Sequence, residues 1–392
     1  MSKSLNQKTY VFALLLIGVI VNSAILLVYG QRPDLYDVRV YVNGADYLLE
    51  VGSFESVHHV FYGLHVAIIA FSRLLVPGEI LPVIIFQMIL AVLATVALYH
   101  AAYKLFKNRY AAFLSGLVFL FWWDCLHWNG TVMSESLFCS LTILIIYLLV
   151  HFDNRKTDFA RLAIAMLALC FTRPTFIVVV VGLAAYFLFS YWNYLRALSM
   201  RKKLLSASVL AMISLLGATL MFQKWDFTVD YISGEVVTYM STVQESSLYH
   251  ETLHTPLANA SVGLSDSKWG IVRITSFIID HPGYFFTLAI KKVYYLLTFQ
   301  RPYYSTWHNL FSALWMAMMY SCFVIGFLHC THRPIKAFVI TVIIVNCLLI
   351  GISSVDWDNR FYIPMEPGIV LFAGFGAYKV LGEVSGIFSS EK

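Results

Sequence analysis

YVFALLLIGVIVNSAILLVYG, Tyr10 to Gly30, is an uncharged apolar run, and its reading decides the fold. Crossing the hydrocarbon layer takes about 20 residues of helix. The run is too long for the apolar core of a secretory leader and has no small-residue cleavage site, so it reads as a first membrane helix. Comparable apolar windows fall at 79–104, 110–123, 134–151, 159–172, 174–192, 204–222, 308–329, 335–353 and 362–382. The expectation is an all-α polytopic membrane protein, a bundle of about ten transmembrane helices.

Composition agrees. Of 392 residues, 59% are hydrophobic and 12% charged, with mean hydropathy +0.73, where a soluble domain carries about 25% charged residues. The net charge of +5 is modest, and the basic residues are scattered between apolar runs. That distribution suits membrane orientation and the lipid bilayer as partner, and argues against nucleic acid. The six cysteines, Cys125, Cys139, Cys170, Cys322, Cys330 and Cys347, show no metal-ligand spacing and lie mostly inside apolar runs, where cysteine behaves as a small hydrophobe.

Orientation follows from the basic loops. KLFKNR (104–109), RKTDFAR (155–161), LRALSMRKK (195–203) and THRPIK (331–336) hold the Lys and Arg excess and are expected in the cytoplasm with both termini. The other face then receives 31–78, 124–133, 223–307 and 354–361. GYFFTLAIKKVYYLLTFQ (283–300) is expected to lie at the outer membrane surface, because a full crossing would strand Lys291 and Lys292 near mid-bilayer. Residues 58–76 are expected as a second interfacial helix, closed by Pro77-Gly78. The chain thus divides into an N-terminal transmembrane module (1–222), an extracytoplasmic loop (223–307) and C-terminal helices (308–392).

Chemistry concentrates in the outer segments. YDVRVYVNGADYLLEVGSF (36–54) carries Asp37, Asn43, Asp46 and Glu50 around a partial helical stripe of Val40, Ala45, Leu48 and Leu49. A short helix there would hold Asp37 near its N-terminus, where backbone N–H groups favour the ionised carboxylate. Such a group either accepts a proton from a hydroxyl or merely caps the helix. SSVDWDNRFYIPMEPG (353–368) places Arg360 beside Asp356 and Asp358. Its planar fork suits a pair of phosphate oxygens, or it snorkels and pairs with its own aspartates. In WWDCLHWNGTVMSESLF (122–138), Glu135 in a helix's first turn reads as structural. His58 and His59 are adjacent, so they do not share a helical face. The long segment adds Arg273, Lys291, Lys292 and Arg301, a basic half suited to an anionic lipid headgroup. Two sequons, Asn129-Gly-Thr131 and Asn259-Ala-Ser261, lie on the expected outer side.

Four stretches together resemble the GT-C superfamily of membrane glycosyltransferases, its branch near the protein O-mannosyltransferases and the lipid A aminoarabinose transferase. They are D-x-x-x-Y (Asp37 to Tyr41) after the first span, MSESLF (133–138), TRPT (172–175), and NRFYIPMEP (359–367), which is close to R-Y-x-x-P-x-x-P. The resemblance implies a GT-C-like bundle with extracytoplasmic interfacial helices and loops. It implies transfer of a sugar from a polyprenyl-phosphate donor to a glycan, lipid or protein acceptor, with inversion and with Asp37 as general base. By it, Tyr41, His58, His59, Glu135, Arg173, Lys291, Lys292, Arg360 and Tyr362 bind substrate. A divalent cation, Mg or Mn, is left open, and no metal ligand is assigned. The chain departs from the family in two places: Val38 follows Asp37 where many relatives carry an acid, and His58 and His59 stand where some carry a second one. The expected location is a bacterial inner membrane with the site facing the periplasm. The competing classes are a lipid-linked sugar flippase, an O-antigen ligase or polymerase, and a non-catalytic relative serving as a scaffold. A flippase would keep polar groups near mid-bilayer and show internal repeats, which this sequence lacks.

Overall fold

A computed structural model describes residues 6–33, 35–192, 196, 231–238, 253–255, 257 and 269–385. Among these, 79% are helical and none forms a strand. Two isolated bridges, Glu235 with His254 and Val237 with Val355, are the only extended pairings among the described residues. The window at 204–222, most of 223–268 and the sequon at Asn259 lie outside the described residues.

The helices are α1 (Gln7–Tyr29), α2 (Tyr36–Val51), α3 (Val57–Phe61), α4 (Gly63–Leu75), α5 (Leu81–Phe106), α6 (Arg109–Leu120), α7 (Trp123–Leu126), α8 (Ser134–Val150), α9 (Lys156–Cys170), α10 (Phe176–Ser190), α11 (Gly270–Asp280), α12 (Pro282–Thr298), α13 (Thr306–His329), α14 (Arg333–Ile352) and α15 (Glu366–Ser385). Nine of the ten apolar windows therefore coincide with helices. Of these, α1, α5, α13 and α14 are long and apolar enough to cross a membrane, and the bent pair of α6 with Trp123–Gly130, at 61°, makes a fifth if it counts as one span. The others fall short for visible reasons. α8 has 17 residues, and α9 and α10 have 15 each.

The described chain divides into two compact units, each discontinuous in sequence. The first comprises the described residues of Met1–Tyr186, Ala317–Ile343 and Tyr362–Lys392, the second those of Phe187–Met316 and Ile344–Phe361. In the first unit α1, α5, α6, α8 and α15 form the bundle. α1 buries Tyr10, Leu14, Gly18, Asn22 and Ile25, a narrow stripe near fourfold spacing. Its remaining surface is apolar and outward, with Leu27 86% exposed. Water would not tolerate that face over several helices, and acyl chains would. Glycines set the tightest contacts. A Cβ at Gly326 would strike the Phe372 carbonyl, and one at Gly376 the Cys322 carbonyl, so α13 and α15 run backbone to backbone.

In the second unit, Tyr231, Val236, Leu253, Ile274, Phe277, Phe285 and Leu288 make one core. α12 turns Phe285, Leu288, Lys292 and Leu296 inward and leaves Phe286 and Ile290 outward. Lys292 is fully buried, with its ammonium donating to the Ser353 carbonyl and lying 4.0 Å over the Tyr231 ring. An apolar groove of about 500 Å³, lined by Phe286, Ile290, Leu297, Leu348 and neighbours, runs between α12 and α14.

Candidate functional site

The segment after the first span forms α2, as expected, with Asp37 in its first turn. The N-cap is Leu35, so Asp37 stands one position inside the helix and is not the cap. The buried stripe differs from the sequence reading: Val38, Tyr41, Gly44 and Ala45 face inward, Val40 is half-buried and Leu49 exposed. The reason is what covers α2. His59 packs on Gly44, where a Cβ would lie 2.7 Å from its ring, and its Nε2 sits 3.3 Å from the Val40 carbonyl. The Asn43-Gly44 pair is thus mid-helix, and the glycine gives a histidine room. Arg73 of α4 pairs with Asp46 and ties the two helices again.

His58 and His59 separate as their adjacency requires. His58 is exposed with its ring 4.8 Å from Tyr62. His59 is buried, between Ser56 Oγ at 3.3 Å and the Glu55 carboxylate at 3.5 Å.

MSESLF and TRPT meet. Glu135, in the first turn of α8, forms an ion pair with Arg173, both almost fully buried. Leu64 N–H donates to the Phe171 carbonyl at 2.8 Å, fixing the start of α4 against the same loop. Tyr41 stands beside them. Its ring lies 5.1 Å from Tyr62 and 5.0 Å, edge-on, from His65. Burial, then Tyr62 and the carboxylate of Glu135, hold the Tyr41 phenol well above its ordinary range, with Asp37 adding and Arg173 opposing. Residues from D-x-x-x-Y, MSESLF and TRPT thereby share one electrostatic neighbourhood in the first unit. A buried pair stays ionised only where its geometry offsets desolvation. The arrangement holds a neutral phenol and a neutral imidazole around a paired charge.

His65 was not singled out from the sequence. It is fully buried on α4, and burial lowers its pKa to about 4, with Glu135 and a bond to the Val132 backbone pulling upward. The signal was present as a lone histidine in the apolar run LHVAIIAF. Beside this cluster Asn129 donates to Asn22 at 3.0 Å and accepts from Ser136 at 2.6 Å. The sequon at Asn129 is thus buried and its side chain engaged, so the folded chain offers no glycan acceptor there.

Of the remaining expected residues, Tyr362 belongs to the first unit and Arg360 and Lys291 to the second. Tyr362 is fully buried, its ring 5.2 Å from Trp122 and its hydroxyl donating to Tyr320 at 3.3 Å. Arg360 Nε pairs with Asp356 at 2.9 Å. Lys291 is half-buried. No trio of His, Cys, Asp or Glu among the described residues is placed to hold a metal ion.

No protein-family model matches this sequence, and no curated protein matches it significantly. Long apolar helices with apolar outer faces make the chain a helical membrane protein.

Proposed function

We propose that the chain is an integral membrane glycosyltransferase that moves a sugar from a polyprenyl-phosphate donor to a hydroxyl of an extracytoplasmic glycan, lipid or protein, with Asp37 as general base. One observation supports this most. Three stretches chosen separately from the sequence place Asp37, Tyr41, Glu135 and Arg173 in one neighbourhood, although they lie up to 136 positions apart (173 − 37).

In this reading Asp37 takes the acceptor proton as the acceptor oxygen attacks the anomeric carbon. The carbon–oxygen bond to phosphate breaks, the polyprenyl phosphate leaves with the electron pair, and the anomeric centre inverts. A positioned base contributes roughly 10²–10⁴-fold to such a step. Arg360 and Lys291 are the cations proposed for the departing phosphate, where charge grows only in the transition state. Lys292 is the alternative to Lys291 in that role, its ammonium donating to the Ser353 carbonyl. The Glu135–Arg173 pair is proposed to hold α2 in place. Ten crossings, cytoplasmic termini and a bacterial inner membrane with a periplasm-facing site complete the reading, supported by the positive loops at 104–109 and 331–336.

The test is to incubate purified protein with a panel of synthetic polyprenyl-phosphate sugars and hydroxyl acceptors. Transfer from one donor class, releasing polyprenyl phosphate, is the expected result. Translocation of intact donor across proteoliposomes without bond cleavage would replace the enzyme reading with a flippase.

A further inference from the structure

Arg301 belongs to none of the motifs above, yet it is among the largest fully buried side chains. Its guanidinium reaches two ways. Nη1 donates to the carbonyls of Tyr295 at 2.7 Å and Gln300 at 2.8 Å. Nη2 donates to the Asp356 carbonyl at 3.1 Å and Asn359 Oδ1 at 2.6 Å. Asn309 grips the Arg301 backbone from both sides, accepting from its N–H at 2.9 Å and donating to its carbonyl at 2.8 Å.

What this clamp holds is the loop that carries Arg360. Asn359 sits at φ +61°, a left-handed conformation that asparagine tolerates better than most residues. Tyr303 supports the loop by donating to the Trp357 carbonyl at 2.8 Å. Asp356, whose carbonyl Arg301 holds, gives its carboxylate to Arg360. One planar fork thus joins the end of α12 to the segment on which the Asp356–Arg360 pair is mounted. A lysine keeps the charge but lacks the fixed geometry needed to serve acceptors in two directions.

We infer that Arg301 is a positioning residue for Arg360: it fixes 356–359 so that Arg360 is presented to the phosphate of a phosphate-headed lipid. The inference rests on the proposed phosphate role of Arg360 but not on sugar transfer, so it can fail or stand apart from the glycosyltransferase reading.

The experiment uses the full chain in detergent, with farnesyl phosphate as probe. Its Kd is measured for the natural protein, Arg301→Lys, Arg360→Ala and the double variant. Amide hydrogen exchange is followed across 354–361, with α5 and α14 as controls for folding. Each single variant is expected to bind about tenfold more weakly, as for loss of one charge-assisted hydrogen bond, and the double variant no more weakly than the worse single one. Exchange across 354–361 is expected to rise about tenfold in Arg301→Lys while the controls stay protected. Asn359→Gly removes one acceptor while keeping the backbone conformation, and should weaken binding in the same direction if Arg301→Lys fails to fold. Unchanged exchange in 354–361, additive losses in the double variant, or undiminished binding by Arg360→Ala would each overturn the inference.

Discussion

Glu135 and Arg173 sit in the interior as a charged pair, and their worth is best read by breaking it two ways. Removing one partner leaves an uncompensated buried charge, at a cost of about 3–5 kcal/mol. Arg173→Met is therefore expected to lower the detergent-solubilised unfolding midpoint sharply. Adding Glu135→Leu should recover most of the loss, because an apolar pair leaves no buried charge behind. Thermal unfolding of both variants measures this, and a double variant worse than the single one would contradict it. His65 gives a pH test. Its folded pKa, about 4, lies below the ordinary 6.5, so between these values the unfolded chain binds the extra proton. Stability from this group is full above about pH 6.5 and falls toward pH 4, by roughly 3 kcal/mol at the lower end. The midpoint of the natural protein should drop more steeply over that window than that of His65→Asn. Equal slopes would remove the assignment.

At the scale of elements, the sequence carried the helices well and their facing less well. Windows at 10–30, 79–104, 308–329 and 335–353 became the four helices that satisfy both length and composition. Hydropathy counts carbon and is indifferent to neighbours, which is why it succeeds there. It does not show where a helix turns its few polar groups. Lys292 points inward to Ser353 and Tyr231, because an apolar solvent reverses the usual rule for which face is outside. The stripe on α2 was misread for a similar reason. Its inner face is set by His59 against Gly44 and by Tyr41 against His65, partners that local periodicity cannot reveal. Asp37 in the first turn was legible, since an acid beside an N-terminus is a local matter. Gly44→Val is expected to push α3 from α2 and destabilise by about 1–3 kcal/mol. A normal unfolding midpoint would show that His59 yields more easily than the packing implies.

For the molecule as a whole, the second unit's Arg301 clamp and the first unit's Glu135–Arg173 pair show one device, a buried arginine binding together segments distant in sequence. Neither pairing was visible from spacing, since the partners lie on different elements. The motif stretches that prompted the functional reading were legible one by one; that three of them share a neighbourhood was not. Orientation stands on the loops alone. A cysteine placed at Lys107 is expected to react with an externally added impermeant maleimide in inverted vesicles and not in right-side-out ones, and the opposite pattern would reverse the topology.

The proposed sugar transfer turns on one oxygen pair. Asp37→Asn keeps the size and shape of the carboxylate but cannot take a proton, so sugar transfer by the purified variant, from whichever polyprenyl-phosphate donor the natural protein uses, should fall by at least about 10² while expression and unfolding midpoint stay unchanged. Transfer at the natural rate would mean that another group removes the acceptor proton, and the assignment of α2 as the catalytic segment would end there.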